Sequence, residues 1–187
     1  MAQTRQKTTQ KTKQKKRKTL TVVIPAYNEE KGISKVVKSI PISKLKALGY
    51  DTEIMVIDNN SKDKTGALAR ANGAHVIVQP VRGYGNAYKA GFANADGQII
   101  ATGDADCTYP FDILPEVLLK MERENLDFIN TNRLKNVNKE NMHWTHKFGN
   151  HFLETICRML WWGFPFNDSQ SGITVHLFVK KFHLIGF

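Results

Sequence analysis

Asp104 and Asp106 stand two residues apart, straight after the apolar run 98–102 (QIIAT) and Gly103. In an extended segment residues i and i+2 project to the same side. Two carboxylates so placed suit a hard divalent cation, Mg²⁺ or Mn²⁺, which takes substrate phosphates alongside one or two carboxylates. A solvated acidic turn is the plainer alternative, and the position directly after an apolar strand favours the metal. Similar positions recur along the chain. Pro25-Ala26-Tyr27-Asn28-Glu29-Glu30 follows the run 20–24 (LTVVI), Asp58-Asn59-Asn60-Ser61 follows 53–57 (EIMVI), and Asn132-Arg133 comes shortly after 126–130 (LDFIN). Acids gathered at one edge repel each other unless a cation joins them. Arg82-Gly83-Tyr84-Gly85-Asn86-Ala87 is either a simple turn or a glycine-bearing helix entry whose backbone N–H groups suit phosphate. It matches neither the dinucleotide fingerprint nor the P-loop. His143, His146 and His151 contain no i, i+4 pair, so no zinc site is read there.

These residues need a scaffold that brings strand ends together. The runs 20–24, 53–57, 75–78 (HVIV), 98–102 and 126–130 read as five short strands. Helices are expected between them. The first is capped by Asn28, carries Glu29 and Glu30 in its first turn, and is stopped by Pro41. A second opens at Ser61 and Asp63 and ends at Asn72-Gly73. A third spans Gly83 to Ala95, and a fourth falls within 110–124. Strands alternating with helices predict an α/β fold: a mostly parallel, Rossmann-like sheet flanked by helices. In such sheets ligands sit beyond the C-terminal strand ends, where the acids stand.

Composition separates this body from its leader. The chain has 187 residues and a net charge of +10. Residues 1–18 hold eight Lys and Arg and no acid, so the remainder is close to neutral at +2. A segment of Gln, Thr, Lys and Arg cannot offset its ordering entropy by burial, so a disordered basic tail is expected before a single domain at 19–187. Attachment to anionic lipid, at about 1 kcal/mol per basic residue, is one reading of the tail. A nucleic-acid arm and a merely solubilising tail are the others. No apolar segment follows the basic one, which argues against a secretory signal. At 41% hydrophobic the body can bury a core. No run of about 18 apolar residues predicts a spanning helix. Cys107 and Cys157 are too few for a disulfide framework.

In order, VVIPAYNEE, VIDNNSKDKT, RGYGNAYKAGFANADG, GDADCTYP and NDSQSG resemble glycosyltransferase family 2. Within that family they are most similar to the dolichyl-phosphate and other polyprenyl-phosphate sugar transferases. The resemblance runs from about residue 19 to 172. It implies the GT-A fold and a set of roles. Pro25, Ala26, Tyr27 and Glu29 match the stretch that lines base and ribose, and Asp58 the aspartate on the base. Asp104 and Asp106 match the family's D-x-D, which carries the metal on the sugar-nucleotide diphosphate, so Asp104 serves both metal and nucleotide. Arg133 matches an arginine that meets phosphate. Asp168, Ser169, Gln170, Ser171 and Gly172 match the acceptor-side motif. The family usually continues further after Gly172, so the domain is read as shortened at its C-terminal end.

The resemblance implies inverting transfer of a sugar from a nucleoside diphosphate, GDP- or UDP-linked, with Mg²⁺ or Mn²⁺ on the leaving group. Arg82, Lys89 and Arg133 are candidates for further charge neutralisation. Asp168 is the candidate base for a hydroxyl acceptor, whereas a phosphate acceptor is already an anion and needs none. Trp144, Phe148, Phe152, Ile156 and Leu160 recur at i+4 spacing, followed by Trp161, Trp162, Phe164 and Phe166. That stripe suits either a membrane interface or ordinary packing on the sheet. The expected function is transfer to a polyprenyl phosphate on the cytoplasmic face of a membrane. Transfer to a saccharide or protein hydroxyl, and a non-catalytic nucleotide-sugar-binding remnant, remain alternatives. No nucleic-acid partner is expected.

Overall fold

A computed structural model describes residues 17–108, 111–131 and 174–177. The elements are β1 (Lys18–Ala26), α1 (Ile33–Ser39), α2 (Ile42–Ala47), β2 (Tyr50–Asp58), α3 (Thr65–Ala71), β3 (His75–Val78), α4 (Tyr84–Asn94) and β4 (Ile99–Thr102). A 3₁₀ turn (Phe111–Ile113), α5 (Leu114–Arg123), β5 (Phe128–Asn130) and β6 (Thr174–Leu177) follow. The strands form one sheet in the order β3-β2-β1-β4-β6-β5. β1 pairs in parallel with both β2 and β4, and β2 with β3. β6 lies antiparallel between β4 and β5. All five expected strands are present, in a mostly parallel sheet with one further strand inserted near its edge.

Alternation along β1 assigns the two faces. Leu20, Val22 and Ile24 bury against Ile33, Val36 and Val37 of α1, Leu45 of α2, Ala69 of α3, and Phe111, Leu114 and Leu118. Val23 points the other way and joins Met55, Ile57, Ile100 and Ala87 of α4. The chain thus leaves β1 toward β2 and β3 with helices on one face, then returns over the other face through α4 to β4. The β1/β4 boundary is where the strand order reverses, the place where a crevice opens at the C-terminal strand ends.

α4 reaches the sheet through a glycine. A Cβ built on Gly91 would lie 2.4 Å from Val23 Cγ1 and 3.4 Å from Ile57 Cγ1. Both partners are fully buried. Gly91→Ala gains about 1 kcal/mol of helix propensity, but overpacking costs about 1–3 kcal/mol. We expect a net loss of stability in urea denaturation, and a more stable variant would show that the contact yields.

Three local expectations are corrected, and a fourth, the stop at Pro41, holds with an addition. Asn28 does not cap the first helix: it is left-handed, at φ 56°, and α1 starts only at Ile33 after Gly32, which provides no side-chain cap. Asn28 is instead tied to the next loop, accepting the Lys62 N–H at 2.9 Å and donating its own N–H to Ser61 Oγ at 3.0 Å. Pro41 does end the first helix, but it also begins α2, whose first turn it precedes. The second helix begins at Thr65, later than Ser61 and Asp63. Finally, β1 begins inside the basic leader, at Lys18. Lys18 pairs with Tyr50 in the β1–β2 ladder, its Nζ stands 2.7 Å from Glu122, and Arg17 stands 3.1 Å from Asp51. Both ion pairs are exposed and worth little; the ladder supplies the order. Residues 1–16 lie outside the described residues.

Candidate active site

A cleft of about 540 Å³ opens at the β1/β4 boundary, a volume in the range of small-molecule sites. Pro25, Ala26, Tyr27 and Glu29 line it from the end of β1, Asn59 from the end of β2, Arg82, Gly83 and Tyr84 from the entry to α4, and Asp104, Ala105 and Asp106 from the end of β4. Six sequence-predicted nucleotide residues therefore meet in one cavity with both predicted metal ligands, Asp104 belonging to each set. Lys89 is exposed on α4 and does not line it. Arg133, Asp168, Ser169, Gln170, Ser171 and Gly172, with the aromatic stripe at 144–166, lie outside the described residues.

Backbone curvature aims the acids. Asn28, Asn60 and Cys107 are left-handed at φ 56°, 61° and 63°, each a short distance past a strand end. Asn tolerates this conformation better than most residues, and here the amides of Asn28 and Asn60 are held by distant backbone, the Lys62 N–H and the Pro80 carbonyl. Cys107 has no such relief and pays roughly 1–2 kcal/mol for it, in the turn that follows the D-x-D. The Asp106 carboxylate accepts the Thr108 N–H at 2.9 Å, which fixes that turn. Asp104 Oδ1 accepts the Tyr84 hydroxyl at 2.9 Å. The Arg82 guanidinium sits 4.6 Å from the centre of the Tyr27 ring, a cation–π contact.

The electrostatics favour a cation. Burial pushes the Glu29 carboxyl above its ordinary value, and the charges of Asp106 and then Asp63 push it the same way. Among the described residues no group of three His, Cys, Asp or Glu side chains is set to enclose a metal. The donor set is a pair of hard carboxylates facing an open cavity. That set fits Mg²⁺ or Mn²⁺ completing its shell with phosphate oxygens and water, and it does not fit a closed structural zinc site.

Asp58 and Asn59, adjacent at the end of β2, meet different surroundings. Asp58 Oδ1 accepts the Ser61 N–H at 3.0 Å, and Oδ2 lies 2.5 Å from where a Cβ on Gly66 would stand. Asp58 is not among the residues lining the cleft, and it braces the loop. Its neighbour Asn59 lines the cleft, is 8% exposed, and has an Oδ1 with no hydrogen-bond partner among the described residues. A buried acceptor left unmade costs about 1–3 kcal/mol, so such an atom marks a place for a ligand donor. Sequence reasoning passed over Asn59 because an Asn beside an Asp at a strand end reads as turn chemistry.

Comparison with known proteins accords with this geometry. The family model for glycosyl transferase family 2 matches residues 21–183. The chain is 35% identical over 158 residues to the low-salt glycan biosynthesis hexosyltransferase Agl6 of Haloferax volcanii, covering 84% of this chain and 38% of that protein. It is 30% identical over 157 residues to the dolichyl-phosphate hexose transferase of the same organism, covering 84% and 65%. Among solved structures, Mycobacterium tuberculosis glucosyl-3-phosphoglycerate synthase, in complex with Mn²⁺, uridine diphosphate and glucosyl-3-phosphoglycerate, matches with a TM-score of 0.62. The identity is 27%, over 86% of this chain and 57% of that one. The chain thus spans less than two thirds of the length of each. Family model and fold agree: the chain belongs to glycosyl transferase family 2 and has the GT-A architecture.

Proposed function

We propose that the cleft binds a nucleoside-diphosphate sugar and that the protein transfers the sugar, with inversion, to a polyprenyl phosphate at the cytoplasmic face of a membrane. The observation that carries this reading is the set of groups that line the cleft. The carboxylates Asp104 and Asp106, the Tyr27–Arg82 pair and the buried Asn59, whose Oδ1 has no partner among the described residues, all line the one cavity. A nucleotide sugar offers matching partners: a planar base with N–H donors, a ribose and a diphosphate.

Each residue then has a task. Asn59 Oδ1 accepts from a base N–H, and Asp58 holds the loop that presents it. Pro25, Ala26 and Tyr27 pack the base and ribose, with Glu29 nearby as a hydroxyl acceptor. Asp104 and Asp106 would hold Mg²⁺ or Mn²⁺, which when bound neutralises charge on the diphosphate leaving group. Arg82 adds positive charge in the same cleft, and the N–H groups at the start of α4, after Gly83, are further donors for phosphate. Arg133 positions the acceptor phosphate as a bidentate donor. Asp168 is the base if the acceptor is a hydroxyl, and Ser169, Gln170, Ser171 and Gly172 shape the acceptor side. The lipid acceptor is supported by the relative named for dolichyl phosphate and by the +8 charge of residues 1–18, suited to anionic lipid.

Incubation with UDP- and GDP-hexoses, Mn²⁺ and a short-chain polyprenyl phosphate tests the acceptor. Labelled sugar is expected in the lipid product, with the transfer lost in EDTA. Label on a soluble saccharide or protein instead would reassign the acceptor to a hydroxyl. Nucleotide binding without transfer to any acceptor would make the chain a binding module.

A further inference from the structure

We propose that Thr102, Tyr88 and Tyr84 form a relay of hydroxyl groups that positions Asp104 for the metal–diphosphate, a proposal resting on the donor-site reading above. The proton count supplies the direction. A phenol has one proton, and that of Tyr84 goes to Asp104 Oδ1 at 2.9 Å. The Tyr84–Tyr88 contact, 3.2 Å between hydroxyl oxygens, must then use the proton of Tyr88. Tyr88 is also hydrogen bonded to Thr102, so the Thr102 hydroxyl donates to Tyr88. Every dipole in the row points toward the carboxylate, and successive bonds in such a row polarise one another.

The rings hold the hydroxyls in place. Tyr84 and Tyr88 are one helical turn apart on α4 and meet edge to face, with centroids 4.8 Å apart and planes at 82°. Tyr88 stacks on Phe92 a further turn along, at 5.7 Å and 24°. Tyr88 and Phe92 pack against the cluster of Val23, Met55 and Ile57. The relay therefore starts on β4 at the buried Thr102, crosses to a helix anchored in the core, and returns two residues past β4 at Asp104. Tyr84 and Tyr88 are positioning residues that act through Asp104. Partners of metal-ligating side chains set ligand orientation, and losing them typically weakens metal affinity about 10- to 100-fold.

The test compares the wild-type chain with Tyr84→Phe and Tyr88→Phe, which retain the rings and their packing. Mn²⁺ affinity is read by electron paramagnetic resonance in saturating UDP and, in parallel, GDP, and nucleotide affinity is read separately in EDTA. Tyr84→Phe is expected to weaken Mn²⁺ binding about 10- to 100-fold and leave affinity in EDTA unchanged. Tyr88→Phe, one bond further away, should weaken Mn²⁺ binding by a smaller factor. Wild-type Mn²⁺ affinity in Tyr84→Phe would overturn the relay and leave the donor-site reading intact. An equal loss with and without metal would also overturn it, making Tyr84 an ordinary wall of the nucleotide cleft. Absence of metal-dependent binding in the wild type would overturn the donor-site reading and the relay with it.

Discussion

Asp106→Asn abolishes metal-dependent nucleotide binding and sugar transfer while the protein melts as before. Asp106 is exposed at the cleft and contributes no core packing. Its structural bond, accepting the Thr108 N–H at 2.9 Å, is kept by the amide oxygen of asparagine. What disappears is one of two anionic oxygen ligands in a site with no third carboxylate to replace it among the described residues. Lewis-acid neutralisation of a leaving group is worth several kcal/mol, so a loss of about 100-fold or more in metal-dependent affinity or rate follows. The stability change should stay within about 0.5 kcal/mol, as for other surface positions. Unchanged Mn²⁺ dependence would remove Asp106 from the metal site.

Phe111→Ala is the variant expected to damage the fold most. Phe111 opens the 3₁₀ turn that follows the D-x-D segment, is 0% exposed, and lies in the cluster with Val36, Leu114 and Leu118. It anchors the far end of the segment carrying Asp104 and Asp106, while β4 anchors the near end. Truncating a buried phenylalanine costs about 3–5 kcal/mol. For a chain of this size that corresponds to a drop in Tm of roughly 2–4 °C for each kcal/mol. Denaturant melts check the stability, and weaker Mn²⁺-dependent binding by the folded fraction checks the link to the site. A cost below about 1 kcal/mol would show that the turn is not held by this ring.

The parts of this structure that follow from short-range pattern were legible in the sequence. The β-branched runs at 20–24, 53–57 and 75–78 became β1, β2 and β3, and the D-x-D sits at the end of β4 as its placement after an apolar run implied. Features decided by distant partners were not legible. Asn28 has the composition of a helix cap, yet its amide bonds to Lys62, 34 residues away. β6 reads as a strand only once Thr174 is paired with Thr102. Asn59 and Tyr84 fall in the same class. Nothing local separates Asn59 from Asp58, and the sheet alone decides which of them meets the cavity. Tyr84 looks like an exposed aromatic at a helix start until its hydroxyl is placed on Asp104, 20 residues later.

Titration calorimetry of the wild-type chain with UDP and GDP, each with Mn²⁺ and in EDTA, tests most directly whether the cleft is a metal-assisted nucleotide site. Saturable binding of at least one nucleotide, tightened at least tenfold by Mn²⁺, is the predicted result. Binding of neither nucleotide, or binding indifferent to the metal, would contradict the account.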